Sequence, residues 1–162
     1  MPINDAAYME RQFRLVQALG DKVNAGDATM EPMGFPGMYL TIKQFPHPTI
    51  SGGAEIEVPG PGGMSHYEQQ PIRVTVTGGI TFLETSSGFV KQFFRDVIAV
   101  GGYFDCRIYE GTPERHTRSY LLEKCFVQVD PSDRDWENKT QVLMLTGTFF
   151  GHFFGRQFAG NA

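Results

Sequence analysis

The sequence is poor in cysteine, in clustered positive charge and in long apolar runs. Only Cys106 and Cys125 occur in 162 residues, and they do not form a C-x-x-C pair. A disulfide framework is therefore excluded, and the two read as small buried residues. If their strands are antiparallel neighbours, the two sulfurs come near each other. Lys and Arg number 14 against 18 Asp and Glu, a net charge of −4, with no basic run. A tight clamp on DNA or RNA needs such a run to neutralise phosphates, so that class is set aside. The longest apolar stretches, such as residues 142–145, are far too short to cross a bilayer, so no membrane insertion is expected. The opening "MPINDAAYMERQ" lacks a basic region followed by an apolar core. No signal peptide is visible there, and the expectation is maturation in the cytoplasm of the producing cell.

Catalytic groupings are missing as well. His47, His66, His116 and His152 stand alone, without H-E-x-x-H or H-x-H spacing, so no metal is expected. "GGMSHY" lacks the closing glycine of a nucleophile elbow, and "PGPGG" has neither a lysine nor a helix behind it. Asp133, Asp135 and Glu137 have the spacing of a calcium loop without its turn glycine or terminal glutamate, and read as a polar turn. Asp105 and Glu123 have nothing in the sequence to bring them together as an acid/base pair. "PERHTR" gathers Arg115, His116 and Arg118 at a hairpin tip, a solvated turn or a contact for an acidic partner. Neither a cofactor nor a catalytic residue is expected, and the chain reads as a component of an assembly.

What is abundant is apolar and aromatic: 41% hydrophobic and 13% aromatic, enough for one domain with a real core. Asn4 or Asp5 can cap a helix over residues 6–19, with Met9, Phe13 and Val16 at helical spacing. Pro32, Pro36, Pro46 and Pro48 exclude a helix from the next stretch, in which "MYLTIKQF" reads as a strand. Residues 54–58 alternate, Glu55 and Glu57 on one face, before "PGPGGMSH", a long loose connection. Ile72, Val74 and Val76 alternate with Arg73, Thr75 and Thr77, and Gly78-Gly79 suggests a bulge before Ile80 and Phe82. Ser86 or Ser87 can cap a helix carrying Phe89, Phe93 and Val97 beside Val90, Phe94 and Ile98, ended by Gly101-Gly102. "YFDCRIY", "SYLLEKCFVQV" and residues 139–150 complete a set of strands, the last apolar on both faces at its centre. The architecture is mainly β, a sandwich or barrel of antiparallel strands with one inserted α-helix. It divides into an N-terminal helical arm and linker (1–37), a β domain (38–154) and a C-terminal tail (155–162). Phe149, Phe150, Phe153, Phe154 and Phe158 crowd a chain end, where polar, frayed sequence is usual.

Three stretches carry a resemblance: "IRVTVTGGITFLETSSGFVKQFF", "YLLEKCFVQVDPSDRDWENKTQVLMLTGTFF" and "ISGGAEIEVPGPGG". Their order and content resemble the tail tube proteins of contractile-tailed bacteriophages, a fold shared with the hemolysin-coregulated protein of type VI secretion. Phe126, Val129, Asp135 and Trp136 match that family's closing strands and turn. The resemblance implies a non-enzymatic virion protein of the tail, assembled in the host cytoplasm as hexameric rings stacked into a tube. Its implied partners are further copies of itself, the tail sheath, and baseplate and tail-terminator proteins, with DNA passing through without tight binding. It makes Glu55, Glu57, Thr75 and Thr77 candidates for the lumen. Phe45, Pro46, Phe149, Phe150, Phe153, Phe154, Phe158, Met9 and Phe13 become candidates for contacts between subunits, and the loops around 45–53 and 59–66 for contacts between rings. Two other readings stay open: a secretion tube, and a monomeric β-barrel whose aromatic residues line an apolar ligand pocket.

Overall fold

A computed structural model describes residues 5–162, so the possible cap Asn4 lies outside the described residues. The elements run α1 (Ala6–Ala18), β1 (Thr29–Pro32), β2 (Ile42–Gln44), β3 (Glu55–Pro59), β4 (Ser65–Gln69), β5 (Thr75–Leu83), α2 (Phe89–Ala99), β6 (Phe104–Gly111), β7 (His116–Val129), β8 (Met144–His152) and β9 (Gln157–Ala159). Six strands form an antiparallel sheet in the order β1-β6-β7-β8-β5-β2, and β9 adds to β7 as the seventh. The sheet curls into a nearly closed barrel. β3 and β4 form a separate two-stranded ribbon.

The curl has a local cause in β7. Its first half pairs with β6 and its second half with β8, so the strand serves both walls of the barrel. Between them Lys124 adopts φ 48°, a conformation rare for a side-chain-bearing residue, and the register slips. Tyr120 and Leu122 face the core before this bulge, whereas Cys125, Val127 and Val129 face it after. Asp105 steadies the kink by accepting a 3.0 Å hydrogen bond from the Lys124 backbone N–H. An even set of inward residues thus becomes an odd set, and the strand bends instead of presenting its apolar residues to water.

α2 closes the barrel's interior with Val90, Phe93 and Val97 buried. Phe93 meets Phe35 edge-on at 4.8 Å and Phe104 at 5.6 Å, while Phe94 meets Phe82 at 5.2 Å. Neither Ser86 nor Ser87 caps this helix. Glu84 accepts hydrogen bonds from the N–H groups of Val90 (3.1 Å) and Lys91 (3.2 Å), and Thr85 Oγ1 accepts from Phe89 (3.2 Å). A carboxylate reaching back over the first turn satisfies two orphan donors and opposes the positive helix end.

Several expected boundaries move. Thr29–Pro32 pairs with β6, and Gln157–Ala159 pairs with β7, so the β body extends beyond 38–154 at both ends. "MYLTIKQF" is half strand: Met38–Leu40 is a 3₁₀ turn with Met38 buried, and only Ile42–Gln44 pairs. The loose connection after Pro59 is a tight turn into β4, made possible by Gly62 (φ 72°) and Gly63 (φ 76°). No bulge occurs at Gly78-Gly79, since β5 and β8 hold one register from Thr75↔His152 to Leu83↔Met144. Gly78 is there for space: a Cβ on it would lie 2.7 Å from Pro46 Cβ. The strand expected over 139–150 is β8, which starts at Met144, and Val142 is exposed outside it. α2 follows the fifth strand, β5.

Candidate assembly interface

The β3–β4 ribbon is the most prominent feature of the surface. Its ladder continues below the named strands through Gly53 N–H to Pro71 O (3.1 Å) and Arg73 N–H to Ser51 O (3.1 Å). From Ser51 to the Pro59 turn it projects roughly 27 Å, at about 3.4 Å per residue. Every residue of the two strands is exposed except Val58, which is half-buried. Ile56, Met64 and Tyr67 stand in solvent. A two-stranded ribbon with no sheet or helix beneath it is marginal alone in water, and such an arm gains stability from a surface that receives it.

The outward face of β5, β8 and β7 has a different character. Opposed pairs Thr75–His152, Thr77–Phe150, Gly79–Thr148 and Thr81–Thr146 lie across β5 and β8, and Gln128 faces Thr148 from β7. The centre of this face is hydroxyl and amide; charge enters at the Thr75 end, where Arg73 Nε donates to Thr75 Oγ1 at 3.3 Å and Glu123 lies opposite His152. Thr75 and Thr77 are exposed on it. Glu55 and Glu57 are exposed too, but on the ribbon, a separate sheet, so the four residues do not form one continuous wall. The sequence made them look alike because alternation reports which residues share a strand face and not which strands share a sheet.

The aromatic C-terminus divides. Phe149 is fully buried and Phe153 nearly so, both in the chain's own core, so neither is free to bind a neighbour. Phe153 meets Tyr120 at 6.0 Å. Phe150 stacks on Phe126 at 4.9 Å and 13° on the opposite face. Phe45 packs against the core and Pro46 covers Gly78, so these two also act within the chain. Phe158 is held by β9 and stacks under the Arg107 guanidinium at 5.0 Å. Phe154 remains 57% exposed. Met9 and Phe13, each 60% exposed, project from α1, which buries no residue at all.

Polar groups that suggested chemistry are occupied structurally. Glu123 pairs with Arg156 at 2.7 Å and Asp105 with the bulge, so the two carboxylates serve different local contacts. Among the described residues no three His, Cys, Asp or Glu side chains converge to hold a metal. Asp135 accepts from the Glu137 N–H at 3.0 Å in a polar turn that displays Trp136 to solvent. Cys106 and Cys125 are free thiols with sulfurs 3.6 Å apart. Their mutual hydrogen bond, followed by burial, pushes the Cys106 thiol well above its ordinary range. Tyr120 is also held protonated above its usual range, by burial and then by donating to Glu110 Oε1 at 2.9 Å.

A curled antiparallel sheet with one covering helix and a projecting ribbon is a tail-tube-like fold. Three solved structures share it: a chain of the PVC sheath–tube complex of an extracellular contractile injection system in the extended state, the tube-terminating cap of the anti-feeding prophage, and the PVC sheath/tube terminator. The first superposes with a TM-score of 0.55 at 10% identity, over 96% of this chain and 99% of that one. The cap gives 0.53 at 12%, covering 88% and 93%, and the terminator 0.52 at 11%, covering 88% and 98%. No family model and no curated protein matches the sequence. At these identities the likeness is one of fold.

Proposed function

We propose that this chain is a non-enzymatic structural subunit of the inner tube of a contractile injection machine. Six copies close into a ring, and rings stack into a hollow tube that works with a sheath, a baseplate and a terminator. The observation that carries the reading is the ribbon arm on a barrel whose strand ladders are left open. β6 stops at Phe104↔Cys125, leaving residues 126–129 of β7 without a strand partner on that side among the described residues, and β2 ends the sheet on the other. Open ladders invite pairing, and a closed ring uses both edges without leaving a template for aggregation. The ribbon, with Glu55 and Glu57, then reaches the next ring.

The threonine and glutamine face, Thr75 and Thr77 included, lines the lumen in this reading. The centre of that wall carries no cation to hold phosphate, and Arg73 at its margin is engaged with Thr75, so DNA slides past it. The finer form of the proposal is a phage tail, assembled in the host cytoplasm, through which a genome leaves. The kinship in fold with PVC and anti-feeding prophage components favours a second form, in which the same tube belongs to an extracellular injection particle.

Negative-stain electron microscopy of the concentrated, purified chain tests the proposal. Sixfold rings or hollow tubes are expected, and replacing residues 54–70 by a short glycine link is expected to keep rings and abolish stacks. A uniform monomer that binds apolar dye stoichiometrically and never extends a tail template would return the monomeric ligand-binding barrel.

A further inference from the structure

Beside the open edge of β7 lies a groove of about 270 Å³, lined by Phe94, Val97, Ile98, Phe104, Val127 and Val129 with Gly102 at its rim. Every lining side chain is apolar, and Ile98 at its mouth is largely exposed. We propose that this groove, between α2 and the end of β7, receives helix α1 of a second copy of the chain.

The occupant is named by what else the chain leaves uncovered. Tyr8, Met9, Phe13, Leu15, Val16 and Leu19 fall on one broad stripe of α1, and all six are exposed. Together they present on the order of 500 Å² of apolar surface, as large as the biggest patch an ordinary monomer shows. It is also a substantial part of the roughly 800 Å² per partner in a stable interface. A short helix has little stability without a surface for its apolar face.

Charge agrees with this seating. On α1 Arg14 pairs with Glu10 and Asp5 caps the first turn, which leaves Arg11 as the basic side chain without a carboxylate partner on the helix. Residues 130–139, which begin directly after Val129, hold Asp130, Asp133, Asp135 and Glu137 against Arg134 and Lys139, a net −2. Within its own chain α1 does not occupy the groove, since it buries no residue. β1 enters the sheet at Thr29 opposite Tyr109, five residues along β6 from Phe104, so the linker departs about 17 Å from the groove. The ten residues between Ala18 and Thr29 are solvent-exposed apart from Ala28 and can span about 35 Å, which reaches the chain's own groove or that of a second copy, and the cross-linking test tells the two apart.

The inference deepens the self-assembly reading, and its test separates the two. Full-length Phe13→Cys and Ile98→Cys variants, both at exposed positions, are mixed, concentrated and oxidised with diamide. The native thiols are fully buried, so wild type serves as the uncross-linked control. The expected result is a dimer at twice 18.1 kDa, at least fivefold more abundant in the mixture than with either variant alone. The double variant should give a ladder of multimers. Loss of its two added thiols without a mass increase would show α1 seated in its own groove and overturn the proposal. Rings or tubes by microscopy with no cross-link would overturn the groove assignment alone. A monomer with no cross-link would remove both.

Discussion

Replacing Phe149 and Phe154 separately by alanine distinguishes the two uses to which the terminal aromatics are put. Phe149 is fully buried between Phe104, 6.5 Å away, and the backbone of Gly151. Truncating a ring in such a site costs about 3–5 kcal/mol, because transfer free energy is lost and a cavity remains. For a chain of 162 residues, at about 2–4 °C per kcal/mol, the melting temperature should fall by roughly 6–20 °C. Phe154 is more than half exposed, and scaling the burial energy of a whole side chain leaves about 1 kcal/mol or less. The assay is urea denaturation of the dilute monomer followed by far-UV circular dichroism. Intrinsic fluorescence is a poor probe, since the single tryptophan, Trp136, is 96% exposed. The same two variants are then concentrated and imaged. Phe149→Ala should lower stability and Phe154→Ala should spare it while weakening assembly. Equal destabilisation by the two substitutions would refute the division of the aromatic tail into core and contact residues.

Glu84→Ala should destabilise the chain by about 1–2 kcal/mol through loss of the α2 cap, while Ser86→Ala and Ser87→Ala stay within about 0.5 kcal/mol; thermal melts of the three decide it. Gly78→Ala should cost about 1–3 kcal/mol by driving a methyl into Pro46, whereas Gly79→Ala meets nothing within 4 Å and should be neutral or slightly stabilising. Equal melting temperatures for these two variants would dismiss the Pro46 contact. Tyr120 is held protonated in the fold, so its stabilisation is complete below about pH 10, the unfolded value, and is lost as the pH rises through the higher folded value. Denaturation midpoints should therefore drop above pH 10, and less steeply in Tyr120→Phe; parallel curves would contradict this.

Local periodicity was enough for much of the fold. The spacing of Phe89, Val90, Phe93 and Val97 placed α2, and Phe104, Cys106 and Ile108 showed their shared inward face, because helix and strand faces depend on residues a few positions apart. The strand pattern gave an antiparallel sandwich or barrel, and the sheet is a nearly closed barrel. The apolar spacing of α1 was equally readable, although its exposure and the groove that could receive it were not.

What tertiary structure decided were the relations between distant segments. The even-to-odd switch at Lys124, steadied by Asp105, and the space that Pro46 takes from Gly78 each depend on backbone that arrives from elsewhere in the chain. The terminal phenylalanines show the same limit. Five rings with similar sequence surroundings end as two core residues, a stacked pair member, a strand-held ring and an exposed one. Composition determined that these rings need burial. Which of them the chain buries for itself depends on whether β6, β7 or nothing lies opposite, and that is a property of the curled sheet.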